Sequence, residues 1–129
     1  MAWGAVVESD SLSLTGSYQD VQDSAADMIV QLNPGEIAHV QFEYNPGAGP
    51  TEHCEVHVLS SPDGTNYDSV PYDAFTLSFT PDPNLASLTV RGIRQFKIEA
   101  ALVDTDGSAG GDDSGSTLIV RVIKNGVNL

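Results

Sequence analysis

Positive charge is what this sequence has least of. Five Lys and Arg stand against 18 Asp and Glu, for a formal net charge of −13, and no cation precedes Arg91. Such a surface repels phosphate backbones and anionic lipid headgroups at long range, which argues against nucleic-acid and membrane partners. Cysteine is almost as scarce. Cys54 is alone, so no intrachain disulfide can form, and that suits a chain folding in a reducing cytosol. The opening MAWGAVVESDSL has no basic stretch ahead of a long apolar one, so no secretory leader is expected. No run approaches the ~20 apolar residues of a membrane helix.

The residues that are present point to strands. Hydrophobic residues make up 40% of the chain, enough for one packed core, and they recur with period two rather than 3.6. Residues 36–44 place Ala38, Val40, Phe42 and Tyr44 on one face. Residues 53–60 do the same with Cys54, Val56 and Val58, and residues 74–80 with Phe75, Leu77 and Phe79. Further strands are expected at 27–32 (Met28, Val30, Leu32), 87–91 (Leu88, Val90), 94–103 (Phe96, Ile98, Ala100, Leu102) and 116–124 (Leu118, Val120, Val122). Two short ones fit in residues 4–8 and 11–18. Gly92 and Ile93 break the parity between two of these runs, which suggests a turn or bulge.

Turn residues separate the runs: Asn33-Pro34-Gly35, Asn45-Pro46-Gly47, Ser61-Pro62-Asp63-Gly64 and Pro81-Asp82-Pro83-Asn84. Short strands with Pro and Gly turns predict an all-β protein, an antiparallel β-sandwich of Ig-like or jelly-roll-like form with about seven to nine strands. One domain spans residues 1–129, with residues 1–12 as an N-terminal arm. Residues 20–27 are the one stretch with helical character, short and acidic.

Candidate sites each have a plain alternative. Asp104, Asp106, Asp112 and Asp113 cluster among glycines. Clustered carboxylates suit calcium, but the spacing fails the helical calcium-loop pattern, and a solvated loop is the expected reading. His53 and His57 share a strand face, yet four residues of strand put them about 13 Å apart, too far for one metal ion. With His39 they read as surface histidines, and no structural metal or cofactor is expected. Cys54 is in phase with Val56 and Val58, as a small core residue. No nucleophile elbow, phosphate loop or Cys-x-x-Cys occurs. Acids this abundant carry no signal of a carboxylate pair, so no enzyme is expected.

Two features suit protein contact. In residues 60–72, Pro62, Asp63 and Gly64 set a turn that carries Tyr67 and Tyr72, amphipathic rings suited to an interface or to the sandwich edge. Four of the five cations form the second. If residues 94–103 and 116–124 were hairpin neighbours, Lys97 and Arg121 would share a face with Glu99, and Arg91 and Lys124 would lie near one end of it. Such a face would dock on an acidic partner, or its cations would simply pair with Glu99. Trp3 with Val6 and Val7 in the arm is a third contact candidate, because apolar chain ends are often ordered by docking.

Four motifs occur in order: LTGSYQDV (14–21), LNPGEIAHVQ (32–41), SSPDGTNYD (60–68) and VRGIRQFKIEA (90–100). Together they resemble a family of small β-sandwich virion proteins of tailed bacteriophages, across most of residues 14–123. The resemblance implies a non-enzymatic structural protein, made in the host bacterial cytoplasm and carried on the virion. A capsid decoration or cement protein on the outer capsid surface is the first expectation. It would bind the major capsid protein or another virion protein, as a homo-oligomer. The Ser-Pro-Asp-Gly-Thr-Asn-Tyr piece also looks like a turn in discoidin-type sandwiches. The alternative is therefore a carbohydrate- or surface-binding module of a phage tail or neck.

Overall fold

Alternation builds the long strands. In Ile37–Asn45 every second residue, Ala38, Val40, Phe42 and Tyr44, is buried, and the residues between are half-exposed. That is what a strand with one face on a core requires. The computed structural model describes residues 3–47, 52–104, 106, 110 and 115–125, and among them there is no helix. The strands are β1 (Val7–Glu8), β2 (Leu12–Ser13), β3 (Gln19–Asp20), β4 (Gln22–Asp23), β5 (Ala26–Asp27), β6 (Ile29–Gln31), β7 (Ile37–Asn45), β8 (His53–Ser61), β9 (Asp73–Leu77), β10 (Asn84–Arg91), β11 (Gln95–Val103) and β12 (Thr117–Asn125).

They form two antiparallel sheets. Sheet A runs β1-β12-β7-β10, with β2 beside β1 on the same edge of β12. Sheet B runs β3-β11-β8-β9, with β6 beside β3 on the same edge of β11. Two of these edges are single strands interrupted. In sheet A, Glu8 faces Arg121 and Leu12 faces Leu118, so the edge strand carries one extra residue, a bulge. Ser9 sits there, its hydroxyl accepting the Val120 N–H at 2.8 Å. In sheet B, the edge strand leaves β11 after Val21 and rejoins it at Ile29, with Met28 N–H donating to the Val21 carbonyl across the gap. With each interrupted edge counted as one strand, eight strands remain, in the orders 1-8-3-6 and 2-7-4-5. That connectivity is the jelly roll, and it decides between the two sandwich forms the sequence left open.

One contiguous core lies between the sheets. Phe42 of sheet A meets Phe75 of sheet B edge to face, with ring centres 4.9 Å apart. Phe42 and Phe96 are wholly buried, each worth roughly 1.5–3 kcal/mol of burial. Of the expected core, Phe75 and Phe79 are only partly buried. Phe75 lies on β9, the edge of its sheet. Phe79 lies beyond the strand, its backbone N–H donating to His53 Nδ1 and its ring stacked on that imidazole.

Two expectations are corrected. The stretch 20–27 is no helix: β4 and β5 form a hairpin whose turn residues Ser24 and Ala25 have φ of 52° and 67°. An isolated helix this short is not stable in water, whereas the flanking residues gain a ladder on β11. The second correction concerns β11 and β12. They are not hairpin neighbours but central strands of different sheets. β11 ends at Val103 and β12 begins at Thr117, a longer separation in sequence than the two to five residues typical of a hairpin loop.

Candidate protein-contact surfaces

The outer face of sheet B carries a polar network built on alternate residues of β11 and β8. Lys97 Nζ lies 3.2 Å from Asp20 Oδ2 and 4.7 Å from the centre of the Tyr67 ring. The buried Gln95 beside it donates from Nε2 to the Tyr67 hydroxyl oxygen at 2.6 Å and to the Gly64 carbonyl at 3.1 Å. It accepts in turn from Gln31 Nε2. These bonds pin the 62–68 loop across the sheet.

The loop is rigid on its own account. Asp63 Oδ1 accepts the backbone N–H groups of Thr65 and Asn66 at 2.8 and 2.7 Å, while Gly64 takes φ 81°. Those backbone donors, with the Asn66 side chain, hold the Asp63 carboxyl well below the usual range. Tyr67 is thus an internal strut as well as a surface ring. Tyr72, by contrast, is exposed, as is Val70 beside it.

Further along the same face, His57 lies between two carboxylates, with Nε2 2.9 Å from Glu55 Oε1 and Nδ1 3.1 Å from Glu99 Oε1. The Tyr18 ring stacks on the imidazole at 4.4 Å. Desolvation, then the hydrogen bond to Glu55, push the Tyr18 hydroxyl well above the ordinary tyrosine range. Sequence reasoning missed this cluster. The parity of Glu55, His57 and Glu99 was legible, but their adjacency depended on the β8–β11 register, Glu99 opposite His57. The two ring nitrogens point to different carboxylates, and among the described residues no group of His, Cys, Asp and Glu is placed to hold a metal ion. Of the acidic loop, Asp112 and Asp113 lie outside the described residues. Cys54 is wholly buried, and desolvation pushes its thiol up to about 12.

The outer face of sheet A is different in character. Arg121 is held by Glu8 and Glu43, with Nη1 2.9 Å from Glu43 Oε1. Bonds from Asn45 and then Arg121 lower the Glu43 pKa. Apolar side chains lie among these polar ones. Ile37, Ile119 and Ile123 are half-buried, and Leu85, opposite Glu43, is 50% exposed. Trp3, 63% exposed, bridges to Asn125 and sets its ring edge on His39 with centres 4.9 Å apart. Val6, 60% exposed, lines a shallow hollow on the same face with His39, Gln41, Ser87, Arg121 and Ile123. The described part of the arm therefore lies along the edge of sheet A, and Trp3, Val6 and Val7 remain exposed.

The expected cationic face does not form. Lys97 and Arg121 lie on opposite sheets because β11 and β12 do. Neither pairs with Glu99: Lys97 binds Asp20 and Arg121 binds Glu8 and Glu43. Lys124 Nζ donates to the Gln31 carbonyl, tying the two sheets together at that edge. Arg91 and Arg94 are both exposed. They flank Gly92, whose φ of 76° makes the sharp turn between β10 and β11.

No family model matches the chain, and no curated protein matches it. Among solved structures it is similar to a chain reported under "Bacillus endospore appendages form a novel family of disulfide-linked pili". The identity is 11%, with a TM-score of 0.47 and 95% of this chain and 89% of that chain covered. A likeness of that degree says nothing about what this chain binds.

Proposed function

We propose that this chain is a non-enzymatic structural protein of a tailed-bacteriophage particle, a decoration protein that binds the major capsid protein on the outer surface of the head. The observation that carries the reading is the outer face of sheet A. Trp3, Val6 and Leu85 are large apolar side chains left 50 to 63% exposed on one side of a well-packed jelly roll. Single exposed apolar residues need no explanation, but several sharing one face suit a contact surface, and tryptophan is a common anchor of such contacts. The ordered resemblance of residues 14–100 to virion sandwiches supplies the particle. The net charge of −13 suits a position outside the shell, away from packaged DNA.

The carbohydrate-binding alternative loses support from the geometry. That reading wants an exposed aromatic platform or a calcium loop, with Tyr67, Tyr72 and the acids of residues 104–113 as its candidates, and of these Tyr67 is committed to Gln95 and Lys97. The test of the capsid reading is binding to undecorated shells by wild type and by a Trp3→Ala, Val6→Ser variant. A loss of at least about tenfold in affinity supports the docking face. Undiminished binding by a folded variant removes it.

A further inference from the structure

Four strand edges end the two sheets, and they are not alike. The β1/β2 edge is bulged at Ser9, and the β3/β6 edge is interrupted by the β4–β5 hairpin. The β9 edge is five residues long and begins at Asp73. Bulges, interruptions and short acidic strands are the usual devices that stop a sheet from growing. The fourth edge has none of them. β10 runs eight residues, Asn84–Arg91, paired to β7 along its whole length. Among the described residues no strand pairs with its other side. It contains no proline and no acid.

The core is also unfinished along this side. Ala86 and Leu88 point inward, opposite Phe42 and Val40, yet stay only partly buried. Phe75 and Phe79, on the neighbouring margin of sheet B, are likewise partly buried. A chain laid along β10 would cover apolar surface as well as satisfy backbone groups.

Charge selects what that chain is. Residues 83–98 hold no Asp or Glu and three of the five cations. On a body of net charge −13 this is where two copies approach with least repulsion. We propose that two copies of this protein join through antiparallel β10–β10 pairing about a two-fold axis, extending sheet A across both. Residues opposite one another in a ladder point to the same face. The axis must therefore pass through a residue, and Ser87 and Leu88 are the central choices. Either places Asp82 of the second copy beside the Arg91–Arg94 turn of the first, and the reverse contact follows by symmetry. Asp82, Arg91 and Arg94 are all exposed. The partner is a second copy rather than a capsid strand, and the pairing does not depend on the particle reading.

Sedimentation equilibrium of the purified full chain tests this without any shell present. The expected result is a reversible dimer. Arg91→Asp with Arg94→Asp should weaken it at least about tenfold, and Asp82→Arg alone should weaken it as well. Combining all three substitutions restores opposite charges across the axis and should recover dimerisation to within about threefold of wild type. Circular dichroism and the thermal midpoint check that each variant folds. A wild-type chain that stays monomeric up to about 1 mM overturns the proposal. So does a dimer indifferent to the charge reversals, or one the triple variant fails to restore.

Discussion

The Tyr67 hydroxyl lies 2.6 Å from Gln95 Nε2, so a ring on the 60–72 loop is fastened to a buried residue at the start of the central strand β11. Tyr67→Phe removes that acceptor and leaves Nε2 with the Gly64 carbonyl alone. The expected cost is about 1 kcal/mol, the net worth of one such bond, read as a lower urea midpoint. An unchanged midpoint would show that the loop is not held by this contact.

Phe96 is wholly buried on β11. Phe96→Ala should cost roughly 3–5 kcal/mol through lost burial and the cavity left behind. Chemical denaturation measures it directly, and a cost near zero would put the ring on the other face of the strand.

Ser24 and Ala25 both take positive φ at the β4–β5 turn. This conformation costs an L-residue on the order of 1 kcal/mol and favours Asn-Gly. Ser24→Asn with Ala25→Gly should stabilise the protein by about 1 kcal/mol, with slower amide exchange across Gln22–Asp27. A loss of stability would contradict the turn geometry.

These predictions also mark where the sequence was legible. Period two showed which residues of β7, β8, β11 and β12 face the core, because burial alternates with the pleat. It could not show partners. Lys97 and Arg121 face outward as expected, but parity is the same whether two strands share a sheet or stand in opposite ones. Hence the expected cationic face fails while the core holds. The hairpin at 22–27 was hidden because its turn lacks glycine and asparagine. The Tyr18–His57 stack was hidden because it depends on the long-range register of β3, β8 and β11.

Two groups set a pH dependence. Burial pushes the Cys54 thiol up to about 12, against about 8.5 in an unfolded chain. Its contribution to stability is complete below about pH 8.5 and is lost as pH rises toward the folded value. The thiol should resist an aromatic disulfide reagent at pH 8 and react at the rate of global unfolding. Fast stoichiometric labelling of the native protein would contradict its burial. Asp63 works in the opposite direction. Its carboxyl is held low by the Asn66 and Thr65 donors, so its contribution is present above the ordinary carboxylate pKa of about 3.9 and lost as pH falls below that. The Asn66 amide resonance should therefore hold its native shift through pH 4 and move only in stronger acid.

Attachment to the outside of a phage head is what we propose. The most direct measurement is the copy number of this chain in purified, intact particles, by quantitative mass spectrometry against the major capsid protein, before and after mild surface proteolysis. The expected result is a fixed stoichiometry on the scale of the capsid lattice, with loss of the chain to protease while the shell stays whole. Absence from the particles, or only a few copies confined to the tail, would contradict it.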